Sequence, residues 1–521
     1  MYRILSASKD TYITNKIIRN SFRATDANVG RAATLDLFKL YNESTLPSDS
    51  TPTEVSRLFV KFDLDPIRAL TSSILDLDNG SFKCYLSMKD IYGGQTCPSN
   101  FTAVIFPLSK SFDEGIGRDI IKFNDLDSCN WLTSSVSSLP VTWSNPGANK
   151  SGYLGSPNID IISSGTLSGS STTQNINLWS SQVFKTGEED LYVDVTTIVS
   201  ATLKNLIPDC GFRISFSESQ ETDNVTRFVK RFASTNHGDV TKRPSLILKY
   251  NDAIQDHHKS FYFNISGSLF LNNYHRGLPA NILSGASATQ VKGSDCIVLK
   301  LTTGSIGRGT YFSRTITGSQ HKMGENFVDG VYSASFAISQ WGISSANIPT
   351  GSSPLAKQIQ NAGSASFTEI WGSIDGTVPY LTSSLTVYST NRTSFDNSLQ
   401  RLLISITNMQ SEFRTSDKYR FRVFAENIDR PIFAKKTPFE TPSEIFTSMY
   451  YRIRCVDNDS IIIPFDSSHG STLCSTDSDG MYFDLYMDAL PKGKLFTIDF
   501  LLKDRGIDQI FTDVAARFKV T

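Results

Sequence analysis

The sequence predicts an all-β protein: three β-sandwich domains in series, the second and third immunoglobulin-like or related sandwiches. Three observations carry this expectation. Aromatic residues make up 11% of the 521 residues, with 34 Phe and 19 Tyr, and such side chains fit a pleated, half-buried surface. Short runs alternate apolar and polar with period two and are bounded by Gly, Ser, Asn, Asp and Pro clusters, the signature of strands and turns. Helical periodicity is weak. Only "DVTTIVSATLKNLI" (194–207) sets Ile198, Leu203 and Ile207 on roughly one face, with Asp194 or Thr196 as N-cap.

At about 150 residues per domain the length holds about three domains, each large enough to bury a core. The first spans 1–252. It contains the strand patterns "RLFVKFDL" (57–64), "FKCYLSM" (82–88) and "FRISFS" (212–217), and closes with "KRPSLILKY" (242–250). There Pro244 stands at the first strand position, where no ladder donor is required. Leu246, Leu248 and Tyr250 face the core, or Ile247 does if the register is shifted. Residues 133–177, poor in aromatics and rich in Ser, Gly and Thr, read as a surface insertion outside the core. "NDAIQDHHKS" (251–260) reads as the exit linker. The second domain spans 253–391, with "CIVLKLT" (296–302) and "YSASFAIS" (332–339). The third spans 392–521, entered through the polar "STNRTSFDNSLQ" (389–400).

Alternation is cleanest in the third segment. In "KYRFRVFAE" (418–426), Tyr419, Phe421 and Val423 share one face and Lys418, Arg420 and Arg422 the other. In "MYYRIRCV" (449–456), Tyr451, Ile453 and Cys455 oppose Tyr450, Arg452 and Arg454. In "MYFDLYMD" (481–488), Met481, Phe483, Leu485 and Met487 oppose Tyr482, Asp484, Tyr486 and Asp488. One face belongs to a sandwich core. The other is either a solvated surface of cross-strand Arg–Asp pairs or a docking surface, since Tyr and Arg are enriched at interfaces. The candidate interface residues are therefore Arg420, Arg422, Arg452 and Arg454, pairing with Asp484 and Asp488 or with a neighbour's acidic groups.

Composition and motifs narrow the function. Fifty Lys and Arg against 51 Asp and Glu give a net charge of -1, which disfavours nucleic acid and anionic membrane as partners. No apolar stretch of about 20 residues predicts a membrane helix, and "MYRILSASKDTYITNK" (1–16) lacks the pattern of a signal peptide. Seven scattered Cys read as free thiols in a reducing compartment. Asp256-His257-His258 matches the triplet of DHH-type phosphoesterases but follows a domain-closing strand, so it reads as linker. "GSIGRGT" (304–310) reads as a turn. "FDEGIGRD" (112–119) gathers Asp113, Glu114 and Asp119, oxygen donors of the kind calcium takes, or an ordinary acidic turn. A carbohydrate platform would expose Trp or Tyr on one sheet face; the five Trp read mostly as core or edge packing. No catalytic, cofactor-binding or metal-binding residue is predicted.

Two resemblances add to this reading. Over 1–252, "ASKDTYITN" (7–15), "RLFVKFDLDPI" (57–67), "SFDEGIGRD" (111–119), "YVDVTTIV" (192–199) and the ending "RFASTNHGDVTKRPSLILKY" (231–250) follow one another in order. The series resembles DNRLRE-type domains, a jelly-roll family related to carbohydrate-binding modules and named from disaggregatase-like proteins. Phe112 stands where that family usually has Trp, and the 133–177 insertion is atypical; both put a sugar-binding role in doubt. "GVYSASFAIS" (330–339), "ETPSEIFTSMYYRIR" (440–454) and "DGMYFDLYMDALPKG" (479–493) resemble virion proteins of tailed, T4-like bacteriophages of marine hosts. That resemblance implies a non-enzymatic structural protein of the virion, assembled in the bacterial cytoplasm, with the neck, tail or baseplate favoured over capsid decoration. Its partners would be other virion proteins and copies of itself. A module recognising a host-surface glycan is the rival expectation.

Overall fold

The computed structural model describes residues 1–521 except 48, 50, 72–73, 122–126, 137–138, 169–172, 304–311, 340–358, 360–361, 390–400, 430–442, 505 and 515–516. The expected turn at 304–310, the linker at 390–400 with the 391/392 boundary, and Trp341 therefore lie outside the described residues. The fold is all-β, with several sandwich-like sheets and short helices. Residues Arg3–Ala69 and Phe82–Lys249 form one compact unit, the N-terminal unit; Met1–Tyr2, Leu70–Ser81 and Tyr250–Thr521 form another, the C-terminal unit.

Ten strands build the main sheet of the N-terminal unit: β1 (Tyr2–Thr14), β2 (Thr34–Tyr41), β3 (Thr53–Phe62), β4 (Lys83–Met88), β5 (Phe101–Pro107), β6 (Ser180–Phe184), β7 (Leu191–Asp194), β8 (Phe212–Phe216), β9 (Arg227–Ala233) and β10 (Ser245–Lys249). Their order is β6-β5-β8-β3-β1-β10-β4-β7, with β2 bridging β3 and β9. The chain thus returns repeatedly between distant strands, as a jelly-roll-like sandwich requires. Strand β10 lies inside the sheet, between β1 and β4. Leu246, Ile247 and Leu248 are all buried, so both faces of this strand are covered and neither parity alone describes it. Pro244 precedes the strand and its carbonyl accepts Ala7 N at 3.0 Å.

Two sequence expectations change here. The 133–177 insertion was read as outside the core, yet it contributes to it. Trp143 is 4% exposed and its ring lies 5.4 Å from that of Phe59. With Ala148 and Ile161 it joins a cluster containing Ile13, Phe112 and Trp131. The insertion also carries its own three-stranded sheet, Ser151–Tyr153, Ile161–Ser168 and Thr173–Asn177. Its polar composition misleads because polar side chains organise the backbone: the buried Asp160 carboxylate accepts the amides of Ser144, Asn145 and Lys150 at 2.7, 2.9 and 3.1 Å. The one periodic helix, α1 (Thr196–Leu203), does bury Ile198 and Leu203. Its N-cap position, however, is Val195; Asp194 Oδ1 accepts Thr196 N at 2.8 Å, and Thr196 Oγ1 accepts Cys84 N at 2.9 Å.

In the C-terminal unit the second segment forms a seven-stranded sheet from β11 (Phe261–Tyr262), β12 (Ser266–Asn272), β13 (Ile297–Thr303), β14 (Phe312–Met323), β15 (Asn326–Ala337), β16 (Ser364–Gly372) and β17 (Pro379–Tyr388). The order is β11-β17-β16-β13-β14-β15-β12. The first part of β14 pairs with β13 and the rest with β15, which lets the sheet curl around Leu299, Tyr332, Phe367 and Trp371.

The third segment contributes β18 (Leu402–Ile406), β19 (Glu412–Phe413), β20 (Lys418–Asn427), β21 (Met449–Cys455), β22 (Ile461–Ile463), β23 (Ser475–Asp477), β24 (Gly480–Tyr486), β25 (Leu495–Asp504), β26 (Ile507–Phe511) and β27 (Phe518–Val520). They form a four-stranded sheet, β18-β20-β24-β23, and a six-stranded sheet, β19-β27-β25-β21-β22 with β26 on β25. Aromatic rings fill the space between these two sheets. Tyr451 stacks on Phe483 at 4.2 Å, and Phe483 contacts Phe421 at 5.0 Å and Phe500 at 6.0 Å.

Candidate functional site

With Phe421 and Phe483 turned inward, period two turns Arg420, Arg422 and Asp484 outward on the four-stranded sheet. Arg420 stands directly opposite Asp484 in the β20–β24 register. Its guanidinium grips that carboxylate at 2.8 and 3.1 Å and lies 4.0 Å from the Tyr482 ring. Lys418 Nζ reaches the same carboxylate at 3.2 Å. Arg422 binds both oxygens of Asp477 through Nη1, at 2.6 and 2.7 Å, and approaches Asp479 at 3.4 Å. Burial alone would raise the Asp484 carboxyl, but hydrogen bonds and charge from Arg420 and Lys418 hold it below the usual carboxylate range.

The same alternation turns Arg452 and Arg454 outward on the six-stranded sheet. Of the two carboxylates expected as partners within the chain, Asp484 does meet Arg420, whereas Arg422, Arg452 and Arg454 meet other carboxylates. Arg452 opposes Asp499 in the β21–β25 register and donates to its Oδ2 from Nε and Nη2 at 2.9 and 2.7 Å. Arg454 reaches Asp499 at 3.3 and 3.4 Å and also pairs with Asp459 and Asp513. Asp488 lies in the turn Met487–Ala489 beyond β24. The physical reason is the sandwich itself: outward side chains of its two sheets point away from each other, so strand parity could not gather them. A signal was present. Asp499 interrupts the apolar run "FTIDFLL", and a buried carboxylate in such a run must find a cation.

Around Arg420 the surface is concave. Lys418, Arg420, Tyr482 and Asp484 line part of a cavity of about 150 Å³, with Asp252 and Tyr274 also on its wall. Arginine and lysine held in fixed geometry can bind protein backbone, carboxylates or aromatic side chains.

The carboxylates of the 112–119 loop do not converge. Asp113 accepts Val136 N at 2.8 Å, Glu114 accepts Asp10 N at 3.0 Å, and Asp119 accepts Ile121 N at 2.9 Å. Gly115, at φ +78°, lies so close to the Asn28 amide that a Cβ would fall 2.3 Å from its Oδ1, so this turn needs glycine. Among the described residues no group of three or more His, Cys, Asp or Glu could hold a metal ion. The seven cysteines are free thiols. Trp131, Trp143 and Trp371 are buried, whereas Trp179 is 44% exposed.

Sequence reasoning missed a buried ionic cluster in the N-terminal unit. Arg57 binds Glu221 in two-pronged fashion at 3.1 and 2.6 Å, donates to Gly147 O at 2.6 Å, and lies 5.1 Å from the Trp131 ring. Burial beside Arg57 pushes the Arg213 guanidinium down to about 9.

No family model matches the chain, and no curated protein matches it. Among solved structures it is similar to the FN1-FN3 domains of chicken CNTN1, at 10% identity over 57% of this chain and 87% of that one, with a TM-score of 0.12. It is also similar to a putative membrane anchored protein from Corynebacterium diphtheriae, at 7% identity over 100% and 97% of the two chains, TM-score 0.14. The native conformation of E. coli alpha-2-macroglobulin matches at 7% identity over 99% of this chain and 30% of that one, TM-score 0.12. Likenesses this weak carry no argument; the fold rests on the strands and sheets described above. No helix among the described residues is long and apolar enough to cross a membrane.

Proposed function

We propose that the chain is a structural component of a tailed-bacteriophage virion, in the neck, tail or baseplate, acting through protein–protein assembly contacts. Its partners are other virion proteins and copies of itself, and it is not an enzyme. The observation that carries this reading is the pre-ordered face around Arg420 and Arg422, with the buried Tyr482 ring packed beneath Arg420. Its arginines are already fixed by Asp484 and Asp477, so presenting them to a partner sacrifices little further side-chain entropy. A sheet edge supports it too. β18 is the terminal strand of its sheet among the described residues, and Leu403 on it is exposed, which suits edge-to-edge addition. The resemblance of 330–339, 440–454 and 479–493 to phage virion proteins points the same way.

Mass spectrometry of purified particles tests the reading. The chain is expected at a copy number comparable with known neck, tail or baseplate proteins; its absence from particles overturns the proposal. Copy numbers matching the major capsid protein would instead move it to capsid decoration. One observation favours a glycan-binding adhesion module as second reading: the exposed Trp179 ring with Phe106 6.5 Å away in the N-terminal unit. Selective binding of the full chain on a glycan array, lost in Trp179→Ala, would establish that alternative.

A further inference from the structure

The segment read from sequence as an exit linker is a strap that joins the second and third segments inside the C-terminal unit. On one side it runs as a partner of β23. Gln255 bridges Thr476 in parallel, Thr476 N donates to Ile254 O at 2.8 Å, Ile254 N to Ser475 Oγ at 3.2 Å, and Thr476 Oγ1 to Asp256 O at 2.8 Å. On the other side it is held by the curled sheet. His257 N donates to Ser268 O at 2.9 Å, Ser268 N returns to His257 Nδ1 at 3.1 Å, and His258 Nε2 meets Glu369 Oε2 at 3.0 Å.

Three titratable groups meet at this junction, largely shielded from solvent. Asp256 and Glu369 are buried; Asp256 Oδ1 accepts His258 N at 3.0 Å, and Glu369 Oε1 accepts Trp371 Nε1 at 2.5 Å. Asp256 faces His258 from the strap, Glu369 from β16 and Asp477 from β23, the last already paired with Arg422. Asp256 therefore holds its carboxylate among other acidic groups in a buried site, where like charges repel strongly and an imidazolium is favoured.

We propose that the 254–258 strap is a proton-operated clamp between the second and third segments, closed while Asp256 and His258 hold their protons and loosened as the protons leave. The direction follows from the surroundings. Burial, reinforced by Glu369 and Asp477, pushes the Asp256 carboxyl up to about 7 from 3.8. Burial alone would lower His258, but the adjacent Glu369 and Asp256 carboxylates raise it above 6.5. Both groups bind protons more tightly closed than open. The Asp256 contribution therefore fades as pH rises from about 4 to about 7, and the His258 contribution fades above 6.5. Near neutral pH the clamp sits partway through its transition.

Hydrogen exchange on the full chain tests this, with intrinsic exchange chemistry divided out. Protection of the His257, Ser268 and Thr476 amides is expected to fall at least tenfold from pH 5 to pH 8, while amides of the β21–β25 pair stay constant. Asp256→Asn should flatten the part of the fall below pH 7, and Glu369→Gln the part above 6.5. A flat wild-type profile overturns the proposal, as does an unchanged fall in Asp256→Asn. Should either variant fail to fold, the wild-type profile decides alone.

Discussion

The Arg57–Glu221 pair and the Arg420–Asp484 pair use the same chemistry, a two-pronged guanidinium on a carboxylate beside an aromatic ring. Their surroundings differ. Side-chain exposure is 5% and 9% in the first and 37% and 15% in the second. In the N-terminal unit neither ion can be rehydrated without disrupting the core, so losing one partner strands the other. On the third-segment face water replaces a lost partner, and the pair contributes little to stability. The buried pair serves the fold, while the part-exposed one leaves the Arg420 guanidinium at the surface over a buried Tyr482 ring.

The largest effect that would break this contrast is expected from Arg57→Ala. It leaves Glu221 buried beside Arg213 and removes the bond to Gly147, and should cost about 3–5 kcal/mol, read by chemical denaturation of the N-terminal unit. The same pair gives a pH signature. Burial would raise the Glu221 carboxyl, but Arg57 holds it below its ordinary value. Its stabilisation is thus complete above about pH 4.5 and is lost as pH falls through the lower, folded value. Acid should weaken this pair, whereas the 254–258 clamp should weaken as pH rises.

Trp143→Ala tests whether the insertion belongs to that interior. A loss of about 3–5 kcal/mol is expected for a buried Trp, against under about 0.5 kcal/mol if the segment were solvated surface. Asp499→Asn lies between the two extremes. Its side chain is buried, but Arg452 and Arg454 both reach solvent, so a loss of about 2 kcal/mol is expected for its charged hydrogen bonds. The smallest effect belongs to Arg420→Ala, at most about 1 kcal/mol and diminished further at high salt. If the face serves assembly, that same variant should nonetheless reduce incorporation into particles, a readout that folding stability does not set.

Strand parity was legible wherever a strand is wet on one side. Tyr451 and Ile453 against Arg452 and Arg454, and Phe421 and Val423 against Arg420 and Arg422, alternate in burial as their sequence does. Parity fails in β3 and β10, where both faces are covered: β3 buries Glu54, Ser56 and Arg57 among its apolar residues, and β10 buries Leu246, Ile247 and Leu248 in succession. It fails again in the insertion, where a polar stretch carries Trp143 into the core on a scaffold of buried hydrogen bonds. The outward parity of Arg420 and Asp484 was legible, but not their pairing, because three strands separate β20 from β24 in the chain. The Arg452–Asp499 pair was not legible either, because nothing local says that β21 lies beside β25.

By itself the sequence determined the all-β class, the inward and outward sets of half-buried strands, and the closing strand near 245–249. Those are local properties, set by side-chain period, turn residues and propensity. Only the tertiary structure decided which carboxylate each arginine meets, that the two arginine pairs occupy different sheets, and that Asp256, His258 and Glu369 share one shielded junction. Those depend on contacts between residues scores of positions apart, where chain connectivity gives no preference and the packing of whole sheets selects the partner.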